Sequence, residues 1–242
     1  QPEHYTAVRF DIKSISREAF IKELDRLNCQ YKPGLLYKDV FLIKGNKIFQ
    51  DNLFKSGICS VQSEPSVLVC NVAAPEKNQR ILDCCAAPGG KSVCLAGLMG
   101  SGEIVALDKY EHRVQLIKAN AARCGAENII NACVWDAAVF NPKLGLFDLV
   151  LVDAPCSGLG VLSGKPDIKL RLTPEGLAET ERLQWEILNT AARYVRPGGA
   201  LIYSTCTIRS RENVFQAERF LREHNDFKAD CAYNYAPAAL LR

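Results

Sequence analysis

Two cysteines stand at positions where a side chain can do chemistry. The apolar run Phe147–Val152 gives way to Asp153-Ala154-Pro155-Cys156-Ser157-Gly158, and the run Ala200–Ser204 gives way to Thr205-Cys206-Thr207. Each reads as a buried strand that ends in a loop. Ligands of an open parallel sheet collect beyond the carboxyl ends of its strands. If these two strands are neighbours, their backbones lie ~5 Å apart, and both thiols face one pocket together with Asp153. A single cysteine at a strand end is more often a packing residue. Most of the 11 cysteines, Cys70, Cys94 and Cys133 among them, suit that role. A pair of thiols, each followed by Ser or Thr and one preceded by an acid, points instead to nucleophilic catalysis.

A second stretch supplies the other half of a site. Ile81–Lys91, ILDCCAAPGGK, runs from an apolar pair through Asp83 into small residues, a proline and two glycines, and then to a basic residue. That order reads as strand, tight turn and helix, a turn to which a ligand can come close. The next strand, Glu103–Leu107, ends in Asp108, placed to hold ribose hydroxyls. The fingerprint G-x-G-x-x-G is absent, which excludes a dinucleotide. Gly90-Lys91-Ser92 resembles the end of a P-loop, but Cys85 occupies the position of its first glycine, which excludes a triphosphatase. S-adenosylmethionine remains, a nucleoside without phosphates; the alternative is an ordinary glycine-bearing turn in an α/β core.

A thiol beside a methyl donor has a specific use. Oxygen and nitrogen acceptors attack a methyl group directly. Carbon-5 of cytosine is a poor nucleophile until a thiolate adds to carbon-6 and makes the ring enamine-like. Asp153 is placed to hold the base edge and stabilise that adduct. The carbon-5 proton must then leave before the thiol is eliminated, a step that a second group can assist. The residues alone leave open which thiol attacks.

The elements that must position these groups follow from periodicity. From Arg80 onward strands and helices alternate: strand Arg80–Asp83, helix Lys91–Leu98, strand Glu103–Leu107, helix Glu111–Cys124, strands Ile129–Val134 and Phe147–Val152, and a helix from Thr173-Pro174 to about Val195. Arg196-Pro197-Gly198-Gly199 is expected to end that helix, before strand Ala200–Ser204 and a last helix at about Glu212–His224. This alternation predicts a doubly wound parallel sheet. The first part predicts a small α/β unit: strand Ala7–Ile12, a helix capped by Ser16 with Phe20, Ile21, Leu24 and Leu27 on one face, a turn at Tyr31–Gly34, and strands Leu35–Tyr37 and Val40–Ile43. Ser63 and Pro65 start a further helix. The domains expected are residues 1–60, a small α/β RNA-binding module; 61–79, a connecting helix and linker; and 80–242, the S-adenosylmethionine-dependent domain.

Composition sets the class. With 242 residues, 48% hydrophobic and 24% charged, the chain has the make-up of an ordinary soluble globular protein. No apolar run reaches the ~18 residues of a membrane span. QPEHYTAVRF has no signal-peptide core, and the missing initiator Met suggests a fragment or trimmed chain. An odd cysteine count without any C-x-x-C argues against a disulfide framework and a zinc site, so no metal and reduced thiols are expected. The net charge of +3 lies entirely before the glycine turn: residues 1–80 carry 12 Lys and Arg against 9 Asp and Glu, the rest 18 against 18. That asymmetry suits a nucleic-acid partner, and equally a solvated basic face. A monomer in the cytoplasm, or the nucleolus of a eukaryote, is expected.

Taken together, these segments resemble the Sun/Fmu-type (RsmB/NSUN family) RNA cytosine-C5 methyltransferases. The matching pieces are Ser60–Ser66, Cys84–Lys91, Ala106–Asp108, Asp153–Gly158, Pro166–Lys169, Arg196–Gly199, and Ser204–Thr207 with Glu212-Asn213. They cover about residues 57–225 and in combination are highly specific. The likeness implies a Rossmann-like S-adenosylmethionine-dependent methyltransferase fold acting on RNA, with ribosomal RNA the expected substrate. It implies Cys206 as nucleophile and Cys156 as the aid to product release. It implies a cofactor pocket lined by Cys85, Ala86, Ala87, Pro88, Gly89, Gly90, Lys91, Asp108, Arg113, Asp136 and Asp153, with Asp136 at the adenine end and Lys91 hydrogen-bonded to Asp153.

Two motifs depart from the family. Its VQDE reads Val61-Gln62-Ser63-Glu64, and its ENE reads Glu212-Asn213-Val214. Neither is expected to touch the chemistry, though both could alter RNA contacts. The closing strand pair that family members add after the last helix is expected to be missing, since CAYNYAPAALLR is too short to supply it. The helical domain that bacterial members often place in front is expected to be absent too. A base-amino methyltransferase would favour D/N-P-P-Y where this chain has Asp153–Cys156, and a silent RNA-binding assembly factor would not need both thiols and Asp153.

Overall fold

A computed structural model describes residues 5–161 and 172–230. The Pro166–Lys169 motif and the final stretch 231–242 lie outside the described residues. The chain forms two sheets. The first unit runs β1 (Tyr5–Phe10), α1 (Arg17–Arg26), β2 (Gln30–Pro33), β3 (Val40–Lys44), the one-turn helices α2 (Lys47–Gln50) and α3 (Asn52–Lys55), and β4 (Cys59–Val61). Its strands pair antiparallel in the order β2-β3-β1-β4. Helix α4 (Glu64–Ala73) leads to β5 (Gln79–Asp83), α5 (Gly90–Met99), β6 (Gly102–Asp108), α6 (Glu111–Arg123), β7 (Ile130–Val134), β8 (Phe147–Asp153), α7 (Pro174–Ala192), β9 (Val195–Ser204) and α8 (Val214–Glu223). Strands β5 to β9 make an all-parallel sheet in the order β7-β6-β5-β8-β9, the doubly wound, Rossmann-like arrangement expected.

Strand alternation explains why this sheet is apolar on both faces. Ile81, Ile104, Ala106, Leu149 and Leu151 point to one side and pack on α5 and α6. Leu82, Val105, Leu107, Val150 and Val152 point to the other and pack on Ile187 and Ala191 of α7. The order reverses between β5 and β8, the switch point where an open sheet forms its crevice. The smaller sheet has its own core of Val8, Phe10, Phe20, Leu24, Phe41 and Ile43, with Phe10 and Phe20 stacked at 4.7 Å. Ser16 caps α1 by accepting from the Ala19 amide at 3.1 Å.

Three expectations are corrected. Tyr31–Gly34 is not a turn: Tyr31 packs edge-on against Phe41 at 5.6 Å, and Gln30–Pro33 becomes the edge strand β2, where a proline at the end costs no ladder bond. Leu35–Tyr37 is not a strand. Its three successive amides turn inward and donate to the Glu64 carboxylate at 3.2, 2.6 and 3.0 Å. Arg196–Gly199 does not simply end α7, which stops at Ala192; it lies within β9 as a bulge, the register jumping from Phe147 opposite Val195 to Leu149 opposite Ala200. Gly198 takes φ +75°, and a Cβ on Gly199 would lie 2.9 Å from the Asp148 carbonyl oxygen, so this bulge needs its glycines.

The two sheets are joined by part-buried polar contacts. Arg123 of α6 donates to the Phe54 and Cys59 carbonyls at 2.7 and 3.0 Å and to the Ser60 hydroxyl at 2.9 Å, with its guanidinium over the Phe54 ring. Gln62, 5% exposed, accepts from Arg9 at 2.7 Å and donates to the Gly90 carbonyl at 3.3 Å. Ser63 sits at the N-cap of α4, although its side chain makes no capping bond.

Candidate active site

The crevice lies at the carboxyl ends of β5, β6, β8 and β9. Asp153 stands opposite Ser204 in the parallel ladder, so the loops after β8 and β9 begin side by side. The Cys156 and Cys206 sulfurs approach to 2.8 Å, and the Cys206 amide donates to the Cys156 sulfur at 3.2 Å. Cys206 is exposed and Cys156 half-buried. The Cys156 thiol, acting as donor, lowers Cys206 to about 7, a fall that burial and the Asp153 charge oppose and the Lys91 charge assists. The same bond, with burial, raises Cys156 far above the ordinary thiol range. Of the two sulfurs, Cys206 is thus the one that ionises more readily and Cys156 the one that keeps its proton.

Asp153 is held from two sides. Lys91 Nζ lies 2.5 Å from one oxygen, and the Ser204 hydroxyl donates to the other at 2.8 Å. Burial pulls the Lys91 ammonium down, but the charge and hydrogen bond of Asp153 outweigh it and leave Lys91 above its usual range. Beneath them Asp83 is almost wholly buried. Its Oδ2 accepts from Ser92 at 2.7 Å, while Oδ1 finds no partner. Burial raises Asp83 to about 6, against the Ser92 bond and with help from the Asp153 charge.

The glycine turn is tied down on every side. The Cys84 amide donates to Leu151 O of β8 at 2.9 Å and the Ala86 amide to Leu107 O of β6 at 2.8 Å. Carbonyls of Ala87 and Pro88 accept from Arg113 and Asn120 of α6 at 3.2 and 2.7 Å. Gly89 has φ +100°, and a Cβ there would press on Ile117 at 3.2 Å; a Cβ on Gly90 would meet nothing within 4 Å. Burial, then the carboxylates Asp83, Asp153 and Asp108, raise the Cys85 thiol strongly and keep it protonated. Asp108, 4% exposed, pairs with Arg113 at 3.1 Å and accepts from the Tyr110 amide at 3.1 Å. Asp136 lies past the end of the edge strand β7. Its carboxylate is engaged by Lys109 at 2.8 Å and the Ala138 amide at 3.0 Å, and the Lys109 hydrogen bond holds it below its usual range despite some burial.

The fold thus brings Cys156, Cys206, Asp153 and Lys91 into one cluster, with Asp83 beneath it and the turn Cys85–Gly90 packed between β6, β8 and α6. Asp136 stands apart from the thiols, just past the end of the far edge strand.

Sequence reasoning missed Glu212. It was expected to be remote from the chemistry. It is fully buried, and its carboxylate accepts from the Ser157 amide at 2.8 Å, from Gln184 at 3.0 Å and from Arg209 at 3.4 Å. Asn213 donates to Thr207 O at 2.8 Å and bonds the Thr205 hydroxyl. The signal available was an acid at the start of a helical run, close to Arg209 and Arg211, which reads as a solvated face. Gln62 and Glu64, in the Val61–Glu64 motif whose departure is expected to bear on RNA contacts, hold the Gly90 carbonyl and the 35–37 loop.

The sequence model of the family described as "16S rRNA methyltransferase RsmB/F" matches residues 70–237. The chain belongs to the RsmB/F family. The probable ribosomal RNA small subunit methyltransferase B of Bacillus subtilis is 38% identical over 227 residues, covering 92% of this chain and 50% of that protein. The crystal structure of PH0851 superposes with a TM-score of 0.88 at 32% identity, over 93% of this chain and 51% of its own. The NSun6 structure from Pyrococcus horikoshii, solved with SFG, shares the fold at a TM-score of 0.81 and 21% identity, over 92% of this chain and 81% of its own. The chain spans about half the length of the curated RsmB/F relatives it matches. Among the described residues no helix is long and apolar enough to cross a membrane, and no group of His, Cys, Asp or Glu is arranged to hold a metal ion.

The thiol pair makes a direct prediction. In the reduced protein iodoacetamide labels Cys206 ahead of the other described cysteines, with a rate midpoint near pH 7. Cys156→Ala moves that midpoint up toward the ordinary thiol value of about 8.5. Peptide-resolved mass spectrometry across pH 6–10 reads both; an unmoved midpoint rules out the Cys156 hydrogen bond as the cause.

Proposed function

We propose that this chain carries the catalytic part of an RNA methyltransferase that places a methyl group on carbon-5 of a cytosine, in ribosomal RNA, through a covalent Cys206 adduct. The observation that carries the reading is the 2.8 Å approach of two thiols at adjacent strand ends, beside an acid ion-paired to a lysine. Direct transfer to oxygen or nitrogen has no use for such a pair.

S-adenosylmethionine fits the crevice chemically: an unpartnered buried carboxylate oxygen on Asp83, a turn whose Gly90 leaves open space, and the buried carboxylate of Asp108 all suit a polar nucleoside. A fold neighbour, the Pyrococcus horikoshii NSun6 structure, was solved with SFG, an analogue of that cofactor. When bound, the cofactor supplies an electrophilic methyl group. Asp108 would hold the ribose, the Cys85–Gly90 turn and Lys91 the amino-acid end, and Asp136 the adenine end.

The residues then divide the work. The Cys206 thiolate forms a bond to carbon-6, and the electrons of the 5,6 double bond move to carbon-5, which becomes nucleophilic toward the methyl group. Asp153 accepts a hydrogen bond from the base edge, fixed by Lys91 and Ser204. After methylation the carbon-5 proton leaves to a group at the site, the double bond re-forms, and the carbon–sulfur bond breaks with Cys206 departing as thiolate. Cys156 is placed to assist that breakdown. The target base must be unstacked to expose carbon-6. Residues 1–60 hold RNA through exposed Lys22, Lys32, Lys38 and Lys47, acting with the 80–242 catalytic domain in a cytoplasmic, or in a eukaryote nucleolar, monomer.

Three outcomes are expected. Incubated with cofactor and ribosomal RNA, Cys156→Ser accumulates a protein–RNA adduct that survives denaturing electrophoresis, while Cys206→Ser forms neither adduct nor 5-methylcytosine. The reverse pattern exchanges the two roles, and activity in both variants ends the covalent mechanism. Asp108→Ala weakens cofactor binding by at least tenfold, since two charge-assisted bonds contribute ~1.5–3 kcal/mol each and tenfold is ~1.4 kcal/mol; an unchanged dissociation constant by calorimetry removes Asp108 from the site. Replacing the four lysines by glutamine flattens the dependence of log K on log salt by up to ~0.7 for each phosphate that a lysine no longer neutralises. A slope equal to the wild-type one makes the module structural only.

A further inference from the structure

We propose that Glu212 is a positioning residue that keeps the Cys156 thiol aimed at the Cys206 sulfur. The inference deepens the methyl-transfer reading and rests on it for its catalytic meaning. Its basis is that one buried residue grips the Cys156 loop and the strand that leads to Cys206.

The side chain of Glu212 holds the Cys156 side. Its Oε2 accepts from the Ser157 amide at 2.8 Å and from Gln184 Nε2 at 3.0 Å. That same Gln184 nitrogen donates to the Pro155 carbonyl at 2.9 Å. Cys156 is therefore clamped through the residue before it and the residue after it, by two side chains that touch each other. The backbone of Glu212 holds the Cys206 side, because its carbonyl accepts from the hydroxyl of Tyr203, on β9, at 2.8 Å. Two further bonds close the frame: Ser157 Oγ to Thr207 Oγ1 at 2.8 Å and the Gly160 amide to Cys206 O at 2.9 Å. A Cβ on Gly160 would lie 2.8 Å from that oxygen, so the loops are already at closest approach.

A fully buried carboxylate needs compensation. Arg209 supplies it, bonded also to Glu181 of α7 at 2.8 Å. The charged and titratable groups facing the thiol pair are Asp153 from the end of β8 and Lys91 from the first turn of α5, and Tyr203 lies near Cys156 and Glu212. None of these bonds the Cys156 loop backbone; Glu212 and Gln184 do. A sulfur–sulfur hydrogen bond depends steeply on distance and angle, so slackening this clamp separates the two thiols without touching either.

The test needs neither RNA nor cofactor. The rate of iodoacetamide alkylation of Cys206 is followed from pH 6 to 10 in the reduced full chain, with circular dichroism to confirm folding. Glu212→Ala should slow alkylation at pH 7 by roughly tenfold, the loss expected when a thiol returns to its ordinary range, and leave the rate at pH 10 unchanged. Glu212→Gln, whose amide oxygen still accepts from Ser157, should keep the wild-type profile. In a Cys156→Ala background Glu212→Ala should add no further shift, since the bond it protects is already gone. A folded Glu212→Ala protein with the wild-type profile overturns the proposal, as does a further shift in that background. Should Glu212→Ala not fold, Gln184→Met cuts the Pro155 tether in its place, and an unmoved profile there is equally fatal. A protein that shows these shifts yet never methylates cytosine would sink the proposed function and leave the clamp standing.

Discussion

Parallel pairing of β8 with β9, up to Asp153 opposite Ser204, is the constraint on which the site depends. Side chains alternate along a strand, and a slip of one residue turns every one of them to the other face. Here such a slip would move Val150 and Val152 out of the α7 face of the core and would also part Ser204 from Asp153. The same hydrophobic pattern that buries the strand therefore fixes where its loop begins. Core packing and thiol placement are one requirement, met twice, on neighbouring strands.

Electrostatics in the crevice follow from unequal shielding. Asp153 has Lys91 and Ser204 on its two oxygens. Asp83, a strand away and far deeper, has only a hydroxyl, and burial takes it to about 6. Among the cysteines the rule is that burial keeps a thiol protonated, as at Cys59, Cys84 and Cys85. Cys206 departs from it because it is exposed and has a thiol donor beside it. Cys94 is also lowered by a neighbouring thiol, Cys70, but it is buried, so among the described cysteines Cys206 is the exposed sulfur that ionises readily.

What was legible in the sequence was whatever local pattern determines. The parallel sheet, the helices on it and the strand-end acids follow from periodicity and from glycine turns. Cys156 and Cys206 could be paired because strand ends converge in this architecture. The misreadings share a cause, which is a partner distant in sequence. Tyr31–Gly34 has turn residues, but Phe41 draws Tyr31 into a strand. Leu35–Tyr37 has strand residues, but Glu64 collects its amides. Glu212 looks like one charge among several near a helix start, and only the folded chain shows Ser157 and Gln184 closing on it. No local rule reports such a contact, since a buried carboxylate and a solvated one are spelled alike.

The seam between the two sheets limits what can be substituted along it. A Cβ on Gly57 would fall 2.2 Å from the Arg123 carbonyl oxygen, and Arg123 itself reaches back to Phe54 and Cys59. A side chain at that glycine would have to push the Arg123 backbone away, so the seam between the two sheets leaves no room there for anything larger. The outward face of the unit and its edge strand β2 are where residues can change without reaching the seam.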